Sequence, residues 1–417
     1  MDLLGSLLGE AWKSLRFHAR RSILTMLGIA WGIATVVLLL AYGSGFQRAV
    51  LMALESFGGQ AIYIFPGRTS QQAGGEKAGK QIRLQLADME AIAAGVPLVK
   101  SVSPEVSASM KVSYGARAQD FNVSGVYPVL ARIRRMEISE GRWIDEADVL
   151  EHARRAVIGD EVKRRLFSGR PAIGEAIRIN GVSFDVLGVL IKKVQDTDEP
   201  DSRYVYLPFT AMTLLRDTRY LDSIAVEAET SGAHAQVVQQ IRQRLGERLG
   251  FRSTDRRALG IWDVVNTLDE VHVITDSLRV LFAFIGALTL TIGGVGVMNI
   301  MLVSVMQRTR EIGTQKSLGA RRRHILFQFL AEALLITFAG GVLGMALAGG
   351  ITAALGPLPL WSAIYGEEAR DADLVLRISW PILGMSTAIL TIVGITAGLW
   401  PAVRASRLNP VEALRHE

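Results

Sequence analysis

The amino-acid sequence predicts a membrane protein with four transmembrane α-helices and a large α+β extracytoplasmic domain of two subdomains, inserted between helices 1 and 2. Three observations predict this fold class: four apolar stretches, a long polar region after the first, and basic residues gathered at alternate ends of the stretches. An apolar helix of about 20 residues crosses the ~30 Å hydrocarbon core of a bilayer. Basic loops mark the cytoplasmic side.

The region 1–44 contains a basic segment and the first apolar stretch, Ile23 to Ala41. Because lysine and arginine precede this stretch, the N-terminus is predicted to lie in the cytoplasm and the chain to cross outward. A cleavable signal peptide is the alternative, since Ala41-Tyr42-Gly43 resembles an export cleavage site. The length of the stretch, with Gly28 and Gly32 one helical turn apart, favours a retained and packed helix.

The region 45–277 contains no apolar run long enough to span a bilayer and predicts a water-soluble domain. A β-hairpin is predicted around Asn180-Gly181, because these residues supply the positive φ angles of a tight turn. Ile224 to Ala228 alternates as a strand with one buried face, and a helix to about Gly250 follows. The order of elements predicts a membrane-proximal subdomain (45–112 plus 207–277) and an inserted β-rich subdomain (113–206).

Residues Ile261 to Leu278 repeat apolar side chains at helical intervals and include no glycine or proline. They predict a helix that continues into the second span, 278–306. Such a stalk would carry motion between the membrane and the outer domain, because a helix is stiff along its axis. The alternative is a solvent-covered helix that only ends the domain.

A short connector, 307–324, separates the second span from the third, 325–356. Its only acid is Glu311 among many lysines and arginines, so it is predicted to be cytoplasmic. Pro401 is predicted to end the fourth helix. The remaining segments are an outer loop (357–377), the fourth span (378–400) and a basic cytoplasmic tail (401–417).

Four motifs resemble those of the MacB-type (FtsX-like) ABC transporter permeases: Arg310-Glu311-Ile312-Gly313, Lys316-Ser317-Leu318-Gly319-Ala320, Phe329-Leu330-Ala331-Glu332-Ala333-Leu334-Leu335 and Asn409-Pro410-Val411-Glu412-Ala413-Leu414-Arg415. No single motif is specific, but their order between and after the spans is. The resemblance covers essentially the whole chain, and it predicts a permease without a fused ATPase domain.

In the resembled family, the loop between the second and third spans is a coupling helix that inserts into the ATPase. The resemblance therefore assigns ATPase coupling to Glu311, Ile312, Gly313, Lys316, Leu318, Gly319 and Ala320. Gln315 departs from the family, which usually has arginine there. A topology signal that contacts lipid headgroups is the alternative, but it explains only the arginines and not the ordered Glu-Ile-Gly and Leu-Gly-Ala.

The resemblance implies the permease subunit of an ATP-driven exporter in the bacterial inner (cytoplasmic) membrane. ATPase closure would reach the periplasmic domain by mechanotransmission. The implied partners are an ABC ATPase that binds ATP and magnesium, a second permease copy (homo- or heterodimer), a periplasmic adaptor and an outer-membrane channel, besides membrane lipid. The alternative is an FtsX-like regulator or sensor that couples an ATPase to an extracytoplasmic partner such as a cell-wall hydrolase.

The sequence predicts no catalytic residue, no metal site, no cofactor bound by this chain and no nucleic-acid binding. Cysteine is absent, and the six histidines are scattered without metal-ligand spacing. Gly74 to Lys80 matches most of a phosphate-binding loop, but Gln81 replaces the required serine or threonine and the loop is predicted to lie outside. The net charge of +6 lies largely beside the spans, where topology and lipid explain it.

Small residues in the spans predict close helix packing, within or between protomers, at Gly28, Gly32, Gly340, Gly344, Gly394 and Gly398. Glu332 is the one acid of the third span. We expect it at the inner interface, paired with the Arg321–Arg323 cluster, in preference to a proton or substrate site in the hydrocarbon.

Overall fold

The computed structural model describes residues 19–72, 78–193, 195, 200–365, 373–409, 411 and 413. The chain divides into two compact units. The helical unit comprises Met1–Arg48, Val273–Leu360 and Asp373–Glu417, and the sheet unit comprises Ala49–His272 and Trp361–Ala372. Each unit has its own hydrophobic core.

The elements follow in this order: α1 (Ala19–Glu55), β1 (Ala61–Pro66), α2 (Leu86–Gly95), β2 (Val99–Tyr114), β3 (Arg117–Val126), α3 (Leu130–Ile133), β4 (Ile138–Gly141), α4 (Glu146–Leu150), β5 (Arg155–Ile158), α5 (Asp160–Phe167), β6 (Ala176–Ile179), β7 (Val182–Leu190), β8 (Tyr204–Pro208), α6 (Phe209–Met212), β9 (Ser223–Ala228), α7 (His234–Leu249), β10 (Leu259–Asp263), α8 (Val264–Gln307), α9 (Thr309–Ser317), α10 (Arg322–Leu355), α11 (Trp361–Tyr365) and α12 (Trp380–Ser406).

Four helices, α1, α8, α10 and α12, are long and apolar enough to cross a membrane. Their most apolar windows have mean hydropathies of 2.4, 2.2, 2.0 and 1.9, in that order. The longest, α8, has 44 residues, which corresponds to ~66 Å, about twice the hydrocarbon thickness. The four predicted spans are therefore confirmed by length and composition.

Two of the long helices end later in the sequence than predicted. Helix α1 continues past residue 44 to Glu55. Helix α12 continues through Pro401 to Ser406, so the prediction that Pro401 ends the helix is wrong. Proline removes one hydrogen bond to the preceding turn, but Ala402 and Ala405 beyond it are fully buried in the core of the helical unit. The residues after the proline are therefore packed in this core although the bond is lost.

The sheet unit is built on one ten-stranded sheet, in the order β10-β1-β9-β2-β3-β8-β5-β7-β4, with β6 paired to β2 and β7. The predicted hairpin is confirmed: Ile179 pairs with Val182, and Asn180 and Gly181 have φ angles of +46° and +87°. The predicted subdomain boundaries, at 112/113 and 206/207, fall within β2 and β8. Strands from both predicted subdomains pair in this sheet, and the boundaries remain a prediction.

Strand β9 is buried on both faces, so the prediction of a single buried face is wrong. It lies between β1 and β2 in the interior of the sheet. Ile224 and Val226 pack in a core with Ile241 of α7, and Ala225 packs in a second core with Leu130 of α3. Helices cover this strand from both sides.

Helix α8 begins at Val264, directly after β10, so Ile261 and Trp262 lie in a strand and not in the predicted helix. Asp263 caps the helix, because its Oδ1 accepts hydrogen bonds from the backbone N–H groups of Val265 (3.1 Å) and Asn266 (3.3 Å). From Val264 onward the helix runs unbroken to Gln307, as the sequence predicts.

Candidate functional site

The short helix α9, in the basic connector, is held against the ends of the long helices by its one large buried side chain. Ile312 is 2% exposed. It lies in the same core as Val305 of α8, Phe329 of α10 and Ala402 of α12. The neighbouring Gly313 is also buried. One face of α9 therefore belongs to the core of the helical unit.

Lys316 gives α9 a second attachment. Its Nζ donates hydrogen bonds to the carbonyl oxygens of Ser406 and Leu408, each at 2.6 Å. The last carbonyls of a helix have no partner within the helix, and a cation is favourable there. Burial and the nearby Arg322 cation lower the pKa of the Lys316 ammonium. Lys316 thus fastens α9 to the end of α12.

Glu332 forms its ion pair with Arg308, whose Nη1 lies 3.3 Å from Glu332 Oε2. The carboxylate is buried, with 6% of the residue exposed. The predicted pairing with Arg321–Arg323 is replaced, because that cluster precedes Glu332 by at least two turns of α10, roughly 13 Å along the helix. Arg308, between α8 and α9, reaches Glu332 instead. The pair ties the start of the connector to the third span.

The opposite end of α9 projects outward. Leu318 is 84% exposed, and Gly319 follows it with a φ of +97°, which L side chains rarely adopt. This turn explains the Leu-Gly-Ala order, since the left-handed residue directs the chain back toward α10 while Leu318 stays in solvent. The three arginines Arg321–Arg323 are exposed directly after it. An exposed leucine beside three cations suits an apolar groove with acidic edges.

The structure therefore separates the seven predicted coupling residues into two groups. Glu311, Leu318 and Gly319 are exposed. The other four face the helical unit: Ile312 and Gly313 are buried, Lys316 bonds the end of α12, and Ala320 packs partly buried against the core. The first group is exposed, whereas the second group contacts the helical unit.

Five of the six predicted packing glycines lie against a neighbouring helix. A Cβ added at Gly398 would lie 2.6 Å from Ala333 Cβ, and one at Gly394 would lie 2.9 Å from Thr337 Cγ2. Gly32, Gly340 and Gly344 likewise face Leu290, Ile29 and Ile33. Gly28 differs, because a Cβ there would meet nothing within 4 Å. Its carbonyl oxygen, however, lies beside Gly293 of α8.

The resemblance to a phosphate-binding loop is not supported by its surroundings. Residues 73–77 of this loop lie outside the described part of the chain. Lys80 is described, and its Nζ donates to the Leu249 carbonyl oxygen at 3.1 Å. The chain after Lys80 does not enter a helix until Leu86, whereas a phosphate-binding loop opens directly into one. Among the described residues, no group of histidine and acidic side chains could hold a metal ion.

The sequence did not indicate a buried ionic network in the sheet unit. Arg134 Nη2 lies 2.8 Å from Glu105 Oε2, and its Nη1 lies 3.4 Å from Asp201 Oδ1. Tyr206 donates its hydroxyl hydrogen to Asp201 at 2.7 Å. These groups come from distant parts of the chain, so no local sequence pattern predicts that they meet. The network joins β2, β8 and the segment before β8.

Two family models match the chain: the MacB-like periplasmic core domain over residues 22–244, and the FtsX-like permease C-terminal domain over residues 283–410. The macrolide export ATP-binding/permease protein MacB of Bdellovibrio bacteriovorus is 33% identical over 412 residues, which cover 98% of this chain and 61% of that protein. The pyoverdine export ATP-binding/permease protein PvdT of Pseudomonas putida is 34% identical over 423 residues, which cover 100% and 60%.

A crystal structure of the periplasmic region of MacB from Actinobacillus actinomycetemcomitans is similar, with a TM-score of 0.43 and 18% identity, over 52% of this chain and 95% of that one. The chain spans about 60% of the length of the curated relatives named above. The two family models and the sequence relatives together show that this multi-pass membrane protein belongs to the MacB/FtsX-like permease family.

Proposed function

We propose that the chain is the permease of an ATP-driven ABC exporter of the MacB type in the bacterial inner membrane, with the sheet unit on the periplasmic side. A separate ABC ATPase would bind ATP and magnesium and hydrolyse the ATP, and two permease copies would form a homo- or heterodimer. The names of the relatives, which join an ATP-binding part to a permease, support the coupling of this chain to an ABC ATPase.

The observation that carries the proposal is the unbroken helix α8, which joins β10 of the sheet unit directly to the connector. The ATPase would grip the exposed Leu318 turn. Since Ile312 and Lys316 fasten α9 to the long helices, a displacement of α9 would move the ends of the spans. Helix α8 would carry that displacement to β10. This is mechanotransmission without a substrate passage through the bilayer.

A proline in the stalk tests this proposal. Val273 is 67% exposed on α8, and Val273→Pro breaks the helix by removing a hydrogen bond and clashing with the preceding turn. Val273→Ala is the matched control. Because the chain has no cysteine, Ser183→Cys at an exposed position of β7 accepts a single spin label in each copy.

With the ATPase reconstituted in nanodiscs, we expect ATP to change the distance between the two labels in the wild type and in Val273→Ala. Val273→Pro should keep ATPase binding and lose the distance change. An unchanged ATP response in Val273→Pro would contradict mechanotransmission. Labelling of Ser183→Cys in intact cells by a membrane-impermeant maleimide, after outer-membrane permeabilisation, should succeed; labelling only after lysis would overturn the topology.

We further propose that the exporter works with a periplasmic adaptor and an outer-membrane channel, and takes a small organic molecule from the periplasm. The relatives named for macrolide and pyoverdine export support this class of substrate. Deleting the gene should raise susceptibility to macrolides or retain a siderophore in the cell. Complementation by the wild type, but not by Leu318→Ala, should reverse the effect. A cell-separation defect with unchanged export would favour the regulator instead.

A further inference from the structure

The sheet unit contains a cleft of about 470 Å³ between α7 and the segment 253–256. This volume is in the range of small-molecule sites. Its polar lining consists of Gln239, Arg242, Gln243, Ser253, Thr254 and Arg256. Each of these side chains donates hydrogen bonds, and none is acidic. The lining is therefore suited to an acceptor with negative charge.

Arg242 lines this cleft, and one of its hydrogen-bond donors has no partner among the described residues. Its Nη2 donates to the carbonyl oxygen of Leu259 at 3.3 Å. Its Nη1 is buried and has no hydrogen-bond partner among the residues that the structure describes. Leaving a buried donor of a charged group unpaired is costly. Burial and the nearby Arg256 cation also lower the pKa of the Arg242 guanidinium, so both charges would gain from an anion.

Asp255, which lies between the lining residues Thr254 and Arg256, does not pair with Arg242 Nη1. Asp255 is 1% exposed, and Ser70 and Gln71 occupy its carboxylate oxygens. Asp255 Oδ2 accepts from the backbone N–H groups of Ser70 (2.6 Å) and Gln71 (2.9 Å), and Oδ1 accepts from the Ser70 hydroxyl (2.7 Å). Asp255 thus shapes the segment beside the cleft without satisfying Arg242 Nη1.

We propose that this cleft binds a small organic anion, whose carboxylate or phosphate group bridges Arg242 and Arg256. Guanidinium groups hold either group in a planar, two-bond geometry. The Ser253 hydroxyl and the Gln239 amide complete the donors, and Val238 offers apolar contact for the rest of the ligand. Through Leu259, Arg242 also contacts β10, which leads into α8. The site does not depend on the proposed ATPase coupling.

The test measures binding to the full chain in nanodiscs by isothermal titration calorimetry. Citrate represents carboxylates, inorganic phosphate represents phosphates, and glucose is the neutral control. We expect saturable binding of citrate, phosphate or both, no binding of glucose, and weaker binding at high salt. The anion that binds with the higher affinity identifies the ligand class.

Arg256→Gln should weaken binding by about tenfold, because one charge-assisted contact is lost. Arg252→Gln is the matched control, since Arg252 is an exposed arginine of the same segment outside the cleft lining; it should change affinity by less than about twofold, because it makes no contact there. Arg242→Gln should weaken binding as much as Arg256→Gln. The thermal midpoint of each variant confirms that it is folded.

Two results would overturn the site. If neither citrate nor phosphate binds saturably to the wild type, the proposed site is excluded. Equal losses in Arg252→Gln and Arg256→Gln would show general attraction to a basic surface and no defined cleft.

Discussion

Replacing Ile312 by alanine tests whether burial of this side chain holds the connector helix α9 in place. Ile312 is 2% exposed in the core of the helical unit, whereas Leu318 of the same connector is 84% exposed. A buried isoleucine-to-alanine change costs ~2–5 kcal/mol, and isoleucine-to-valine ~0.5–1.5 kcal/mol. An exposed leucine-to-alanine change is expected to cost less than about 0.5 kcal/mol.

Tryptic cleavage after Lys316, identified by mass spectrometry, measures this difference. The bond after Lys316 lies in α9, so cleavage requires the helix to open, and its rate follows the open population when closing is fast. Each 1.4 kcal/mol of lost stability raises the open population, and with it the cleavage rate, about tenfold. We expect Ile312→Ala to accelerate cleavage roughly 30-fold or more, and Ile312→Val about 2- to 12-fold. Cleavage at the exposed Arg321–Arg323 is the internal reference.

Leu318→Ala is the matched control. We expect it to keep the wild-type cleavage rate at Lys316 and to reduce capture of a co-expressed ABC ATPase. Equal acceleration by Leu318→Ala and Ile312→Ala would refute the separation of the connector into anchored and exposed residues. An unchanged rate in Ile312→Ala would show that burial of this side chain does not hold α9.

Three further predictions concern the charges of the two units. Arg308→Gln removes the Arg308 cation from the buried Glu332 carboxylate and should lower the thermal midpoint, while the double variant Arg308→Gln/Glu332→Gln should recover most of the loss; a double variant as unstable as the single one would argue against the pair. Asp263→Ala removes the cap of α8 and also the contact of Asp263 Oδ2 with His234 Nδ1, so it should destabilise the protein by at least about 1 kcal/mol in thermal or chemical denaturation. Asp263→Asn keeps an oxygen that can cap the helix and should be closer to the wild type; equal losses in both would argue against capping. For Asp255, burial raises the pKa, but the hydrogen bonds from Ser70 and Gln71 prevail and lower it from 3.8 to about 2. Its contribution to stability is therefore complete above about pH 4 and lost as the pH falls toward 2. The thermal midpoint should fall less steeply over this range in Asp255→Asn, and parallel curves would contradict the assignment.

The sequence by itself determined the features that depend on local chemistry. The hairpin follows from two adjacent residues that tolerate positive φ, Asn180 and Gly181. The four spans follow from apolar length, and the continuity of α8 from the absence of glycine and proline between Ile261 and Leu278. The order of motifs around the connector was sufficient to indicate the permease family, which the family models show.

Tertiary structure alone decided which groups meet across the chain. It placed Arg308 beside Glu332, buried both faces of β9, and carried α12 through Pro401. It also divided the connector, because Ile312 and the exposed Leu318 are both apolar and only the neighbouring helices determine which one is covered. Periodicity along one element gives the side that a residue faces, whereas the partner on that side comes from a distant segment.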